Sequence, residues 1–328
     1  MPPDRLRSIV PMFGGATRYV ETLDAILEFV EMNQPTSDKL VGWHRGSFRN
    51  VSSRDSIMRR VSYLQQVGFL CRVNDHWKVD DAGREYTEQG DMTALLQIMC
   101  DRNVGLRSLL YSLVAGPMTI EEVGEQQLDT HPELGWSRGE IDMAKQRVNW
   151  LRSMELVEKR GDEYALTNEG LRFVERAVEE WAYSGWPLSV SDAGAQAGTY
   201  ETTVHARSVD PEFRETVLSR YGRKCPISGV DHPGLLDVAH VLSWSDYPKY
   251  RADLSNVLPL GKMHHAAFDR KLFTIDQDYR LRVNPEFKTE SDVLQRTIID
   301  RDGERTSIPE KSLKAQYVRQ YNSSLTWL

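Results

Sequence analysis

Residues 221–281 read YGRKCPISGVDHPGLLDVAHVLSWSDYPKYRADLSNVLPLGKMHHAAFDRKLFTIDQDYRL. Within this stretch the apolar run at 235–241 predicts a short strand, which carries His240 near its end. A polar loop follows, and Asn256 then leads the apolar residues VLPL, which predict a second short strand. A histidine and an asparagine therefore stand at the two ends of one polar loop.

A helix is predicted for residues 263–271, directly after the second strand. His265 and Asp269 are four residues apart on this helix, so their side chains share one face. The whole order is strand, loop, strand, helix, with His240, Asn256 and His265 at the junctions.

This order resembles the HNH, or ββα-metal, nuclease family. The resemblance is closest to a group with a C-x-x-[SC]-G opening, a DxAH strand, a DxxN loop and an HxxFD helix. Here these motifs read Cys225-Pro-Ile-Ser-Gly229, Asp237-Val-Ala-His240, Asp253-Leu-Ser-Asn256 and His265-Ala-Ala-Phe-Asp269. The similarity covers about residues 212–315. It implies an endonuclease that hydrolyses phosphodiester bonds of DNA.

The resemblance also implies a role for each matched side chain. His240 would be the general base that takes a proton from water, a task suited to histidine, whose unperturbed pKa is about 6.5. Asn256 would hold the loop, and with it the His240 side chain, through its amide. His265 would bind one divalent cation at the scissile phosphate. An imidazole combined with a carboxylate accepts Mg²⁺ or Mn²⁺, whose other positions are filled by water and phosphate oxygens.

The second protein ligand to this cation differs from the commonest family pattern. Many relatives place an aspartate or histidine directly before the base, where this chain has Ala239. Either Asp269 or Asp237 must then complete the site. Asp269 is preferred, because it lies one turn from His265 and matches the position of a second ligand in many relatives.

Many relatives also bind a structural zinc through two C-x-x-C pairs. Here Ser228 follows Cys225, and residues 260–263 contain no cysteine, so we expect no structural zinc. The domain is then expected to be stabilised by its own core and by the C-terminal segment 286–328.

Polar neighbours of the motifs have less specific roles. His264 is expected to point away from the metal-binding face, and Asp253 is expected to cap the loop. Three basic residues beside the predicted helix either contact DNA phosphates or are simply solvated: Lys262, Arg270 and Lys271.

An internal repeat organises the front of the chain. The segment RVSYLQQVGFLCRVNDHWKVDDAG, residues 60–83, aligns without a gap with RVNWLRSMELVEKRGDEYALTNEG, residues 147–170, at an offset of 87. A shared spacing of this kind indicates one supersecondary unit used twice.

The first copy predicts a helix followed by a small hairpin. Residues 53–67 have the apolar spacing of an amphipathic helix, and Gly68 suits its left-handed C-terminal end. Residues 69–73 and 76–80 predict two strands joined by a turn at Asn74-Asp75, and another helix begins near Asp81. The first helices of the two copies are predicted at 20–32 and 107–114. This order resembles a winged-helix domain over about residues 15–90 and again over 95–182.

In winged-helix domains the helix before the wing commonly enters the major groove of DNA. Basic residues in or near that helix are therefore candidate DNA contacts: Arg45, Arg49, Arg54 and Arg59 in the first copy, and Arg138 and Lys145 in the second. Arg60 and Arg147 are at equivalent positions, which leaves a structural role open for both. Trp43 and Phe48 either stack on a base or belong to the core. A solvated helix face, or a module that pairs with another protein, are the alternatives to DNA reading.

Composition sets the limits for these interpretations. The chain has 328 residues, of which 40% are hydrophobic, and a net charge of −7, so only a local basic face would meet DNA phosphates. Its three cysteines are far apart and fit reduced thiols, and no apolar run is long enough to span a bilayer. The N-terminal sequence lacks the apolar core of a signal peptide, so we expect a cytoplasmic protein that does not bind membranes.

The sequence therefore predicts an α+β protein with two winged-helix domains, at 1–91 and 92–183, and an HNH nuclease domain with a C-terminal extension at 205–328. Residues 184–204 are rich in glycine, alanine, serine and threonine and predict a linker. The expected function is cleavage of double-stranded DNA by a Type II-like restriction endonuclease, acting as a homodimer so that both strands are cut. A restriction enzyme that requires base methylation, and a non-catalytic DNA-binding regulator, are the alternatives.

Overall fold

The computed structural model describes residues 5–48, 51, 53–183 and 210–328. The chain divides into two compact units, Met1–Phe173 and Val174–Leu328. The whole predicted linker, residues 184–204, and the candidate DNA contact Arg49 lie outside the described residues. Within the described part of the chain, no helix combines the length and the apolar character needed to cross a membrane.

The first unit contains the two copies of the repeat. The elements of the first copy are α1 (Tyr19–Asn33), α2 (Ser37–Ser47), α3 (Arg54–Val67), β1 (Leu70–Val73), β2 (His76–Val79) and α4 (Asp81–Gln89), followed by α5 (Met92–Arg102). Those of the second copy are α6 (Leu106–Val114), β3 (Met118–Thr119), α7 (Ile120–Thr130), α8 (Ile141–Ser153), β4 (Val157–Arg160), β5 (Glu163–Leu166) and α9 (Asn168–Tyr183). The predicted helices and strands of both copies are confirmed within one or two residues at each end.

The offset of 87 residues seen in the sequence holds in the three-dimensional elements. Each of α3, β1, β2 and α4 begins 87 residues before α8, β4, β5 and α9 respectively. Gly83 and Gly170 are equivalent, and a Cβ atom on either would collide with a backbone carbonyl, of Phe69 in the first copy and Leu156 in the second. Both positions therefore require glycine for the same close approach of two backbone segments.

One short strand completes each hairpin. In the second copy β3 pairs with β5, with Thr119 opposite Glu163. In the first copy the same contact is reduced to a single bridge between Thr36 and His76. Thr36 and Thr119 also cap α2 and α7 through their side chains, so one threonine ends the strand and begins the next helix in each copy.

The two copies pack against each other within this unit. The Ser153 hydroxyl accepts a hydrogen bond from the backbone nitrogen of Val20 at 2.8 Å, and the Tyr19 and Trp150 rings meet edge to face at 5.5 Å. The Tyr63 hydroxyl donates to Asn103 at 3.0 Å in the buried interior. The repeat therefore builds one shared core.

Helix α2 was not predicted from the sequence. Its residues SDKLVGWHRGS contain two glycines and few apolar positions, so the helical pattern is weak. The helix is nevertheless capped by Thr36 and buries Leu40, Val41 and His44. Arg45 consequently lies on α2, whereas Arg54 and Arg59 lie on α3.

The second unit starts at Val174 within α9, and its next described helix is α10 (Pro211–Arg220), capped by the Asp210 side chain. It continues with β6 (Leu236–His240), β7 (Val257–Gly261), α11 (Lys262–Asp269), β8 (Phe273–Ile275), β9 (Leu281–Val283), α12 (Asp292–Thr297) and α13 (Ala315–Asn322). The predicted order of strand, loop, strand and helix is confirmed by β6, β7 and α11. Strands β6 and β7 are antiparallel, and β8 and β9 form a second hairpin.

The core of this unit draws on its C-terminal segment, as the sequence predicted. Ile298, Ile308, Leu313 and Val318 are buried in the same apolar cluster as the strand residues Leu236 and Leu258. Cys225 is also fully buried in this cluster. The segment after residue 286 is therefore part of the folded domain.

Candidate active site

The hairpin β6–β7, the loop between its strands and the helix α11 carry the matched motif residues. The register places His240 opposite Val257 and Asp237 opposite Leu260. Along β6 the side chains of Leu236 and Ala239 are buried, while Asp237 and His240 are partly exposed. Both polar side chains of the strand therefore remain accessible at the edge of the core.

The imidazole of His240 is fixed by the loop that follows its strand. Its Nε2 atom lies 3.0 Å from the carbonyl oxygen of Arg251, and its ring meets the Trp244 ring edge to face at 5.1 Å. A carbonyl can only accept, so Nε2 carries the hydrogen of this bond. In the neutral ring Nδ1 then carries the lone pair, as a proton acceptor requires.

Asn256 fastens the two ends of the loop through its amide. It is fully buried, and its Oδ1 accepts from the backbone nitrogen of Leu242 at 2.8 Å. Its Nδ2 donates to the carbonyls of Leu242 at 3.1 Å and Tyr250 at 3.2 Å. The amide thus links the chain just after His240 to the segment that supplies the Arg251 carbonyl.

Asp253 caps the same loop, which confirms the role expected for it. Its Oδ1 accepts from the backbone nitrogen of Ser255 at 2.8 Å. Its Oδ2 accepts from Lys314 Nζ and from the Tyr317 hydroxyl, both at 2.7 Å. The loop is therefore held from within and from the C-terminal segment.

His265 lies between the two carboxylates that the sequence left as alternatives. Its Nδ1 is 3.6 Å from Asp237 Oδ2, and its Nε2 is 3.5 Å from Asp269 Oδ2. The two carboxylates face opposite nitrogens of one ring, so only one of them can share a cation with His265. Among the described residues, no group of three or more His, Cys, Asp or Glu side chains is placed so that it could hold one metal ion.

A site with one imidazole and one carboxylate still fits a hard divalent cation. Mg²⁺ usually retains several waters and is held by one or two carboxylates together with substrate phosphates. Both candidate carboxylates are substantially exposed, so water and a phosphate have access. His265 with either Asp237 or Asp269 is therefore a chemically suitable pair.

His264 faces away from this pair, as expected. It is buried, and its Nε2 lies 3.1 Å from the Thr297 hydroxyl on α12. Burial, followed by the nearby charge of Arg301, lowers the pKa of His264. It packs α11 against α12 as a neutral side chain.

The basic residues around α11 are exposed. Lys262 begins the helix, and Arg270 and Lys271 follow its end. Arg270 also donates to the carbonyl of Ala266 at 3.0 Å. Their exposure is compatible with contact to phosphates and also with simple solvation.

The candidate DNA contacts of the first unit differ in their exposure and in their ion pairs with carboxylates. Arg45 and Arg59 are exposed, and Arg54 pairs with Asp38 at 2.6 Å. In the second copy Arg138 is paired with both Glu125 and Asp129, while Lys145 lies 3.9 Å from Asp142. The structure thus shows carboxylate partners for Arg54, Arg138 and Lys145.

Arg60 and Arg147 have the structural role that the repeat left open. Arg147 is fully buried, donates to the carbonyl of Arg7 at 2.8 Å and lies over the Trp136 ring at 4.7 Å. Burial lowers the pKa of Arg147 to about 10. Arg60 lies over the Phe13 ring at 3.9 Å.

Trp43 and Phe48 pack into an aromatic group of the first copy. The Trp43 ring stacks on Phe29 at 4.5 Å and meets Phe48 edge to face at 5.6 Å. Phe48 also contacts Phe13 at 5.9 Å. Both side chains are partly buried, so their packing role is the one with observed contacts.

Some residues that shape the site were missed in the sequence. Trp244 and the Arg251 carbonyl lie in a polar loop without a regular pattern, and a backbone carbonyl has no residue type to search for. Lys314 and Tyr317 lie more than 60 residues after Asp253, so local spacing could not connect them.

Comparison with known proteins identifies the segment that contains this site. Residues 225–276 match the profile of a family described as HNH endonuclease. These residues form an HNH endonuclease domain. The HNH domain includes His240, Asn256 and His265 and ends before α12 and α13.

The other comparisons give weaker matches or none. No curated protein sequence matches the chain significantly. One similar solved structure is titled "Crystal structure of pyrene- and phenanthrene-modified DNA in complex with the BpuJ1 endonuclease binding domain". It is 9% identical, with a TM-score of 0.33, and the match covers 53% of this chain and 85% of that one. A TM-score of this size is too low to establish a shared fold.

Proposed function

We propose that this protein is an endonuclease that hydrolyses phosphodiester bonds of duplex DNA in its HNH domain. The observation that carries the proposal is the hydrogen bond from His240 Nε2 to the Arg251 carbonyl, at 3.0 Å, in the same domain as His265, which lies between two carboxylates. A histidine in a defined tautomer and a suitable cation pair are the two elements that phosphodiester hydrolysis needs.

In this mechanism His240 is the general base. Its Nδ1 lone pair takes a proton from the attacking water, and the Arg251 carbonyl stabilises the imidazolium that forms. Asn256 keeps the loop, and hence that carbonyl, in place. A single Mg²⁺ or Mn²⁺ held by His265 with Asp269 or Asp237 would stabilise the charge on the phosphate and the leaving oxygen.

The repeated modules would direct the enzyme to its site. Each has the helix, hairpin and helix order of a winged-helix domain, and α3 carries Arg54 and Arg59 in the position that commonly enters the major groove. Lys262, Arg270 and Lys271 would contact backbone phosphates near the cut, and Lys145 would contribute weakly. Two copies of the chain would act together, one on each strand.

We place this activity in a Type II-like restriction endonuclease that reads unmodified DNA. The competing function is a methylation-dependent enzyme that stacks a modified base on Trp43 or Phe48. The observed packing of both rings against Phe29 and Phe13 favours the first function, because a base would have to displace these contacts. A non-catalytic regulator would not need the tautomer-fixed His240.

Digestion of methylated and unmethylated plasmid DNA tests the function. The purified chain with Mg²⁺ or Mn²⁺ is expected to convert unmethylated plasmid into discrete fragments, and methylation of the recognised site is expected to block cutting. Cutting of methylated plasmid alone would establish the competing function. Absence of cleavage on both, over a range of sites and both metals, would contradict an endonuclease.

Binding measurements test the role of the first copy. Arg54→Ala and Arg59→Ala are each expected to weaken binding of the cleaved sequence by about tenfold, because each removes a contact to a phosphate or a base. The measurement is a DNA titration in the His240→Ala background, so that the DNA stays intact. Arg138→Ala provides the comparison with the second copy, where a smaller effect is expected because Arg138 pairs with two carboxylates, whereas Arg54 pairs with Asp38. Unchanged affinity in both test variants would remove α3 from the DNA interface.

A further inference from the structure

The loop at residues 251–256 is held from outside the HNH domain. Asp253, only 5% exposed, accepts hydrogen bonds at 2.7 Å from both Lys314 and Tyr317. Lys314 precedes α13 and Tyr317 lies in its first turn, both after the matched segment 225–276. Two side chains from a distant part of the chain thus converge on one carboxylate of the loop.

These contacts are specific to the loop. A buried carboxylate is costly unless its charge is paired and its oxygens are hydrogen-bonded, and here all of these conditions are met. The Lys314 backbone nitrogen also donates to the Ser255 carbonyl at 3.1 Å. The Tyr317 ring packs on the Tyr250 ring at 4.7 Å, and the Tyr250 carbonyl is an acceptor for Asn256.

The Tyr317 hydroxyl remains a donor at any ordinary pH. Burial first, and then the hydrogen bond to Asp253, raise the pKa of Tyr317. Its bond to the carboxylate therefore persists. The loop is anchored at its middle, between the Arg251 carbonyl on one side and Asn256 on the other.

We propose that Asp253, Lys314 and Tyr317, here called the C-terminal clasp, are positioning residues for His240. The clasp fixes the loop so that the Arg251 carbonyl holds the His240 ring with Nε2 protonated. Its contribution to catalysis rests on the proposed function of His240 as the general base. Through Lys314 and Tyr317, the C-terminal extension thereby helps to orient His240.

A simple structural role for the clasp makes a different prediction. If these contacts only stabilised the unit, their loss would lower the unfolding temperature and leave His240 unchanged in the folded protein. If they position His240, their loss changes its tautomer and slows the chemical step while DNA affinity stays the same. Measurements on the folded variants, at temperatures well below unfolding, therefore distinguish the two roles.

The experiment compares Tyr317→Phe, Lys314→Met and the double variant with the full-length protein. Nitrogen NMR of ¹⁵N-histidine-labelled protein reports the His240 tautomer, assigned with His240→Ala. Single-turnover cleavage gives the chemical rate, and a DNA titration without catalytic metal gives the affinity. We expect the wild type to show the Nε2-protonated form, and the double variant to show mixed tautomers with cleavage slowed about tenfold.

Thr274→Val is the matched control. This substitution removes a hydroxyl that donates a hydrogen bond at 2.6 Å to Asn322 on α13, the helix that carries Tyr317, and it keeps the side-chain shape. We expect it to lower stability and leave both the His240 signals and the cleavage rate unchanged. If the double variant does not fold, Tyr317→Phe, which preserves the ring, provides the same comparison.

Two results separate the inference from the proposed function. Wild-type His240 signals and cleavage rate in the folded clasp variants would overturn the inference. A wild-type protein that cuts no DNA, but whose His240 tautomer changes in the clasp variants, would refute the proposed function and leave the positioning intact.

Discussion

His240→Ala is expected to abolish DNA cleavage and leave DNA binding unchanged. The variant removes the imidazole that the Arg251 carbonyl orients, and a positioned general base contributes about 10²- to 10⁴-fold to rate. His240 is partly exposed at the end of its strand, whereas Leu236, Val238 and Ala239 are buried, so the truncation leaves the core residues of the strand in place. The measurement is single-turnover cleavage with Mg²⁺ and with Mn²⁺, beside a DNA titration.

His232→Ala is the control for this result. His232 is exposed in the turn before β6, where its Nδ1 accepts a hydrogen bond from the backbone nitrogen of Gly234. Its loss is expected to leave cleavage at the wild-type rate. A His240→Ala protein that still cuts at more than about a tenth of the wild-type rate would make the general-base assignment wrong.

Asp269→Asn is expected to raise the metal concentration needed for cleavage at least about 100-fold. Mutation of a residue that only supports a metal ligand lowers metal affinity by up to about 100-fold, so loss of a direct ligand must lower it at least as much. His265→Ala is expected to have an effect at least as large, and a chelator is expected to stop cleavage completely. The measurement is the cleavage rate as a function of Mg²⁺ and Mn²⁺ concentration.

Asp237→Asn provides the comparison that decides between the two carboxylates. Because Asp237 and Asp269 face opposite nitrogens of His265, only one of them can share its cation. A large increase in the metal concentration needed by Asp237→Asn, with none for Asp269→Asn, would assign the second ligand to Asp237 on β6 instead of Asp269 on α11. Asp231→Asn, at an exposed carboxylate that pairs with Lys224, is the control for a general loss of charge.

Much of the architecture could be predicted because its signals are local. The apolar spacing of 53–67, the turn at Asn74-Asp75 and the glycine at position 68 each act within a few residues, and each is found as expected. The repeat was visible for the same reason, since equal spacing preserves equal packing in both copies. Helix α2 escaped prediction because its stability comes from burial of Leu40 and Val41 and from the Thr36 cap.

The sequence by itself determined the order of the elements, because this order depends on short spacings, and its resemblance to the HNH family singled out His240, Asn256 and His265 as candidates. Only the tertiary structure revealed that Asp237 and Asp269 face opposite nitrogens of His265. It alone brought Tyr317 to Asp253 across 64 residues of chain. Such contacts are set by how the core packs as a whole, so no local pattern encodes them.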